Sequence, residues 1–171
     1  MHIKHRTHLR AKELRLLWKN IENFPGLIHR AFGKPPSTRV PVERVVLADK
    51  TELYLVQGEL WLVVKKDTVF PGLPALLSEN VQLPQVVVDM GAVKHIANGA
   101  DVMAPGIFDL NHELSPGDLV VIIDQKNLAP LAVGRMLLLP QVILKTNKGR
   151  AIETLHYVGD YLWKLVKELS E

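Results

Sequence analysis

The stretch Val86–Ile107, VVVDMGAVKHIANGADVMAPGI, decides the fold of the second half of the chain. Its opening apolar run ends at Asp89, whose side chain can cap a helix that begins near Met90. Gly99 can end this helix in the left-handed conformation. The pattern therefore predicts a strand, a short helix and a second strand, at Gln85–Asp89, about 91–98 and Val102–Ile107.

Small residues stand at both ends of the predicted helix, as Gly91-Ala92 and Gly99-Ala100. Because they carry little or no side chain, backbone N–H groups there can approach a phosphate or a ribose closely. Lys94 adds a positive charge nearby. The same small residues would also permit tight packing of the helix on a barrel, and the glycines alone do not separate the two interpretations.

Short apolar runs separated by turn residues continue after this stretch and predict a small barrel followed by a final helix. The strands are expected at Leu119–Asp124, Leu131–Leu139 and Ile152–Tyr157, and the helix at about 160–169. Before the stretch, the hydrophobic pattern predicts one amphipathic helix and several strands. The helix is expected at about 11–23, a hairpin turn at Gln57-Gly58, and the strands at 2–9, Val42–Leu47, Glu52–Val56 and Glu59–Val64.

Pro84 interrupts the pattern between the two halves and predicts a domain boundary. With helices and strands in both halves, the chain is expected to have an α+β fold, with domains at 1–83 and 84–171. A length of 171 residues allows one domain or two small ones, and 47% hydrophobic residues can form a core.

The composition excludes several classes of protein. Without cysteine, the chain has no disulfide framework, thiolate metal site or cysteine nucleophile. No apolar run approaches the ~18 residues that a membrane span needs, and the first residues lack the apolar segment of a signal peptide. We therefore expect a cytoplasmic protein with no membrane partner.

Positive charge is concentrated near the N-terminus. Residues 1–44 hold ten Lys or Arg and three Asp or Glu, whereas residues 45–171 hold 11 and 15. This asymmetry suggests an anionic partner such as nucleic acid, although a solvated basic face with no partner fits the charge equally well. The predicted secondary basic surface comprises Lys4, Arg6, Lys12, Arg15 and Lys19.

No residues form a recognisable catalytic or metal-binding motif. The sequence has no nucleophile elbow and no phosphate-binding loop, and turn chemistry accounts for Asp101 and Asp109. On a strand, His5 would face away from His2 and His8, which makes a metal site there a poor fit. His156 has no partner nearby in sequence and is expected to be a packed structural residue. We expect no enzymatic activity, no metal and no cofactor.

The Val86–Ile107 stretch resembles the signature of the PUA domain, named for pseudouridine synthases and archaeosine transglycosylases. The shared pattern is a strand, Asp-x-Gly-Ala, a helix, Gly-Ala, a strand and Pro-Gly. Other segments resemble the malignant T-cell-amplified sequence proteins, and the absence of cysteine gives the chain an archaeal character. These segments are Phe24-Pro25-Gly26, Val56–Leu60, Phe70–Pro74, Asn147–Glu153, and Leu155-His156-Tyr157 with Asp160 and Leu162-Trp163.

The resemblance implies an N-terminal α+β pre-PUA domain followed by a PUA pseudobarrel that binds structured RNA. It implies a translation factor that acts on rRNA or tRNA at the small ribosomal subunit, in initiation, reinitiation or recycling. Eukaryotic members pair with a protein that carries an initiation-factor-like domain, so this chain would need such a partner or act alone. Two alternatives are an accessory subunit of a tRNA- or rRNA-modifying enzyme, such as a transglycosylase or pseudouridine synthase, and a protein-interaction scaffold.

The resemblance also implies where RNA binds. PUA domains use the glycine-rich helix, the strand after it and the last strand, and the local basic run at Lys145, Lys148 and Arg150 agrees with this. The Asp101 carboxylate is expected to cap its own turn rather than contact RNA. The candidate RNA-binding residues are Gly91, Ala92, Lys94, His95, Gly99, Ala100, Lys145, Lys148, Gly149 and Arg150.

Overall fold

A computed structural model describes residues 2–22, 39–77 and 81–170 of the chain. The chain forms two compact units, of which the second is Leu83–Leu165. The first unit extends to Gln82 and also includes the residues from Val166 onward, whereas the sequence pattern assigns all of 84–171 to the second domain. The Phe24-Pro25-Gly26 segment and the predicted end of the first helix at residue 23 lie outside the described residues.

The first unit is built on an antiparallel sheet of five strands, in the order β1-β2-β3-β4-β5. The pattern does not predict β5, a short strand that is defined by its pairing with β4. The elements are β1 (Ile3–His8), α1 (Ala11–Glu22), β2 (Val42–Leu47), β3 (Glu52–Val56), β4 (Glu59–Lys65), β5 (Thr68–Pro71) and α2 (Leu73–Leu77).

Apolar spacing and turn chemistry explain the first unit. Helix α1 buries Leu14 and Ile21, and its Trp18 stacks on Trp61 of β4 with ring centroids 6.3 Å apart. The predicted hairpin turn between β3 and β4 is confirmed. Its residues Gln57 and Gly58 have φ values of +53° and +83°, the left-handed pair that a two-residue hairpin favours.

The second unit has six strands in the order β7-β11-β10-β9-β6-β8. Strands β6 and β9 pair in parallel, and the other neighbours pair antiparallel. The elements are β6 (Gln85–Val88), α3 (Met90–Ile96), β7 (Val102–Met103), a 3-10 turn (Ala104–Gly106), β8 (Ile107–Leu110), β9 (Leu119–Asp124), β10 (Pro130–Met136), α4 (Pro140–Thr146) and β11 (Arg150–Tyr157). The last helix, α5 (Tyr161–Ser170), begins in the second unit, and its residues from Val166 onward belong to the first.

Two predictions about the second unit are wrong, and proline explains both. Val102–Ile107 is not one strand, because Pro105 lacks an N–H and lies in the 3-10 turn that separates β7 from β8. The strand predicted at Leu131–Leu139 ends at Met136, and Pro140 begins α4 at a position where its missing N–H costs nothing. The apolar sequence alone does not show this change from strand to helix.

Candidate nucleic-acid interface

The N-terminus of α3 is capped by the side chain of Asp89. Asp89 Oδ1 accepts a hydrogen bond from the Ala92 N–H at 2.8 Å, and the Asp89 N–H donates to the Gly106 carbonyl at 2.9 Å. This confirms the predicted cap. The carboxylate thus already accepts from a backbone N–H that Gly91-Ala92 would otherwise offer to a phosphate.

Ala92 has a packing role at this end of the helix. A Cβ placed on Gly106 would lie 3.0 Å from the Ala92 Cβ, so the helix and the 3-10 turn approach closely there. Gly91 is exposed, and Ala92 is half-buried against the core of the second unit. Of the two interpretations of the small residues, tight packing therefore describes Ala92.

The other end of α3 has the predicted left-handed residue. Gly99 has φ +84°, its N–H donates to the Ile96 carbonyl at 2.9 Å, and the Ala100 N–H donates to the His95 carbonyl at 3.0 Å. This pair of bonds forms the Schellman pattern that ends many helices. A Cβ on Gly99 would lie 2.9 Å from the ring of Tyr157 on β11, so the backbone there passes directly over an aromatic side chain.

Asp101 joins the end of α3 to the last strand of the unit. Its Oδ1 accepts from the Thr154 N–H at 2.8 Å, and its Oδ2 accepts from Arg150 Nη1 at 3.0 Å. The Thr154 hydroxyl also donates to the Ala100 carbonyl at 2.9 Å. The expectation that Asp101 caps its own turn is therefore wrong, because its carboxylate is bound by β11.

The segment before β11 completes this face. Gly149 has φ +89° with open space around the position of a Cβ, and its carbonyl accepts from the Ala104 N–H at 2.9 Å. Arg150 lies directly opposite Met103 in the β11–β7 ladder. The structure thus brings Ala100 together with Gly149 and Arg150, which lie far from it in sequence. We call the surface formed by the end of α3, β7 and the start of β11 the candidate face.

Exposed basic side chains lie on α3 and in the segment that leads into β11. Lys94 and His95 are exposed on α3, Lys145 on the last turn of α4, and Lys148 in the loop before β11. Among the described residues, none forms a hydrogen bond or an ion pair with the side chains of these three lysines. The Arg150 charge differs from theirs because it is paired with Asp101.

Two further residues at the candidate face are absent from the sequence-based set. Met103 lies opposite Arg150 and is 50% exposed. Thr154 donates hydrogen bonds to both Ala100 and Asp101. Only the register of β7 on β11 places them there. No spacing signal within either strand indicates that register, so the sequence alone could not have identified them.

The secondary basic surface lies in the first unit, on β1 and α1. Arg6 forms an ion pair with Glu43 at 2.6 Å, and this hydrogen bond lowers the pKa of the Glu43 carboxyl. Lys4, Lys12, Arg15 and Lys19 are exposed. The charge that this surface offers a partner is therefore smaller than the sequence suggests, because Glu43 offsets Arg6.

His156 confirms the prediction of a packed structural histidine. Its side chain is fully buried, and its Nδ1 lies 2.7 Å from Asp160 Oδ2. It does have a partner nearby in sequence, contrary to expectation. Across residues 2–22, 39–77 and 81–170 the structure shows no group of three His, Asp or Glu side chains placed to hold a metal. In that same part of the chain, every helix is too short or too polar to cross a membrane.

Comparison with known families matches residues 84–158 to the PUA domain. Uncharacterized protein MJ1432 of Methanocaldococcus jannaschii is 35% identical over 163 residues, which cover 95% of this chain and 98% of the relative. Translation machinery-associated protein 20 of Saccharomyces cerevisiae is 34% identical, with 74% of each chain covered. Human malignant T-cell-amplified sequence 2 is 33% identical over 85% of this chain and 82% of its own length.

This chain belongs to the malignant T-cell-amplified sequence family. A solved structure agrees: hypothetical protein PH0734.1 from Pyrococcus horikoshii matches with a TM-score of 0.73 at 32% identity, over 95% of this chain and 99% of that one. The family assignment predicted from sequence is confirmed. So is the α+β fold with an N-terminal domain followed by a PUA pseudobarrel.

Proposed function

We propose that this member of the malignant T-cell-amplified sequence family is an RNA-binding translation factor without catalytic activity. It contacts structured RNA, either rRNA or tRNA, at the small ribosomal subunit in the cytoplasm. The observation that carries the proposal is the bridge from Asp101 to β11, which joins the left-handed end of α3 to Gly149 and Arg150. Relatives named for the translation machinery support the setting.

The chemistry of the candidate face suits RNA in two respects. Gly149 leaves the backbone open, so a phosphate or ribose can approach without meeting a side chain. Lys94 and Lys148 are exposed point charges, each able to bind one phosphate and displace a counterion. Cations and open backbone bind a polyanion without a covalent step, which supports a non-enzymatic role.

Sedimentation of ribosomal subunits tests this proposal. We expect the protein to sediment with the small subunit from a lysate, and Lys94→Gln combined with Lys148→Gln to leave it at the top of the gradient. Lys65→Gln with Lys66→Gln removes the same charge from the end of β4 and the turn after it, in the first unit, and should change nothing. Adding an initiation-factor-like protein to parallel gradients shows whether a partner is required.

Three outcomes would contradict the proposal. The first is that the variant with Lys94→Gln and Lys148→Gln sediments with the small subunit to the same extent as the parent. The second is co-purification with a transglycosylase or pseudouridine synthase and no ribosomal subunit, which would favour the accessory-subunit alternative. The third is recovery with neither RNA nor ribonucleoprotein, which would favour a protein-interaction scaffold.

A further inference from the structure

An ion pair whose carboxylate is also held by a backbone N–H lies within the candidate face. Arg150 Nη1 donates to Asp101 Oδ2 at 3.0 Å, with 57% of the Arg150 side chain and 28% of the Asp101 side chain exposed. The second oxygen of Asp101 accepts from the Thr154 N–H at 2.8 Å. Asp101 cannot withdraw without leaving that backbone donor unpaired, so a ligand that reaches Arg150 also meets the carboxylate.

A phosphate is a poor ligand for such a pair. It presents only acceptor oxygens and negative charge, which Arg150 attracts but Asp101 repels. The edge of a nucleobase presents an N–H donor beside an acceptor atom. Asp101 can accept from that N–H, while Arg150, which has five N–H donors in a fork, can donate to the neighbouring acceptor.

Met103 supplies an apolar surface beside the pair. It lies opposite Arg150 in the β7–β11 ladder and is 50% exposed. A thioether side chain is soft and polarisable, and it packs favourably against a flat ring. A base with a free edge could therefore lie against Met103 while its edge meets Asp101 and Arg150. Bases within a duplex already use that edge in pairing, so the ligand must be unpaired.

We propose that Asp101 and Arg150 together recognise the edge of an unpaired nucleobase, whereas Lys94 and Lys148 bind phosphates. This inference rests on the proposed function and refines it, because it divides the candidate face into a base-contacting part and a phosphate-contacting part. Asp101 makes the two parts differ, because its negative charge keeps Arg150 from acting as one more phosphate contact.

Two RNAs with the same number of phosphates separate these roles. One is a hairpin with a short unpaired overhang, and the other is the same hairpin with an overhang of abasic nucleotides. Binding of each is measured over a series of salt concentrations. We expect the parent to prefer the overhang with bases by about tenfold, the discrimination that one good paired contact to a base provides. Arg150→Gln should lose that preference and keep the salt dependence of the parent.

Two further variants separate the base contact from the phosphate contacts. Lys148→Gln should keep the preference for bases and reduce the slope of log affinity against log salt by about 0.7–0.9. Asp101→Asn keeps an oxygen for the Thr154 N–H, and its melting temperature checks that the fold is intact. It should lose the preference and steepen the salt slope, because Arg150 becomes free to bind a phosphate.

The inference is overturned if Arg150→Gln reduces the salt slope as Lys148→Gln does and leaves the preference for bases intact. It is also overturned if the parent binds both RNAs equally well, in which case the proposed function survives. If the parent binds neither RNA at low salt, the proposed function itself fails. If Asp101→Asn lowers the melting temperature, its binding data are set aside and Arg150→Gln alone tests the inference.

Discussion

Gly99 occupies a position at the candidate face that no residue with a side chain fits well. Its φ of +84° is left-handed, and a Cβ would lie 2.9 Å from the Tyr157 ring. We predict that Gly99→Val lowers the free energy of unfolding by more than about 1 kcal/mol, measured by urea denaturation. Gly91→Ala is the control, because Gly91 lies in the first turn of α3 and its nearest obstacle is Asp89 Oδ1 at 3.2 Å. Equal losses in the two variants would contradict this account.

The Asp160 carboxyl makes the stability of the second unit depend on pH in the acid range. Burial alone would raise the pKa of the Asp160 carboxyl, but the hydrogen bond with His156 and those from the Trp163 and Tyr157 N–H groups lower it below its usual range. A lowered folded pKa means that the carboxylate stabilises the fold above its unfolded pKa of about 3.9. That contribution is lost as the pH falls through the folded value.

The difference between the parent and Asp160→Asn isolates this contribution. We expect the free energy of unfolding of the parent to fall more steeply than that of the variant as the pH drops below about 4. Denaturant titrations at a series of pH values measure both curves, and other carboxylates affect the two proteins alike. Curves that run parallel throughout the acid range would show that Asp160 is not the group responsible.

At the scale of elements, β11 organises the candidate face by holding the end of α3. The Thr154 hydroxyl donates to the Ala100 carbonyl, and the Thr154 backbone N–H donates to the Asp101 carboxylate. Thr154→Val keeps the β-branched shape and removes only the hydroxyl. We predict a loss of about 0.5–1.5 kcal/mol in the free energy of unfolding, with faster hydrogen exchange of the α3 C-terminal amides. Unchanged exchange at those amides would contradict the holding role.

The elements predicted well from the sequence are those whose ends are marked by their own residues. Asp89 caps α3 and Gly99 ends it, and both are visible in the sequence. Strand β5 is defined instead by its pairing with β4 across a two-residue turn, and the division of Val102–Ile107 depends on a turn around Pro105. Hydrophobic periodicity carries no information about strand pairing or about turns of this kind.

The same distinction holds for the candidate site. The glycines and lysines of the site follow from backbone freedom and charge, which are local properties of the sequence. The hydrogen-bond partners of Asp101 do not follow from local properties, because Thr154 and Arg150 reach its carboxylate only through the register of β11. Met103 was missed for the same reason, since its exposure depends on where β7 ends in the sheet.

At the scale of the whole molecule, two basic surfaces could attract RNA, one in each compact unit. The N-terminal set contains more cations, but Arg6 is offset by Glu43 and no glycine opens the backbone between its members on β1 and α1. The candidate face combines Lys94 and Lys148 with the open backbone at Gly149. General electrostatic attraction is therefore expected from the first set, and selective binding from the second.

Filter binding of tRNA and rRNA fragments across a salt series tests this central claim most directly. Lys94→Glu with Lys148→Glu is compared with Lys4→Glu with Lys12→Glu, which reverses the same number of charges in the N-terminal set. Charge reversal at Arg150 is avoided because it would place a second carboxylate beside Asp101. The account predicts that the first pair loses affinity on the order of tenfold or more together with its selectivity among RNAs, whereas the second pair binds more weakly with selectivity intact. Parental binding by the first pair and abolished binding by the second would place the RNA surface in the N-terminal unit and contradict the account.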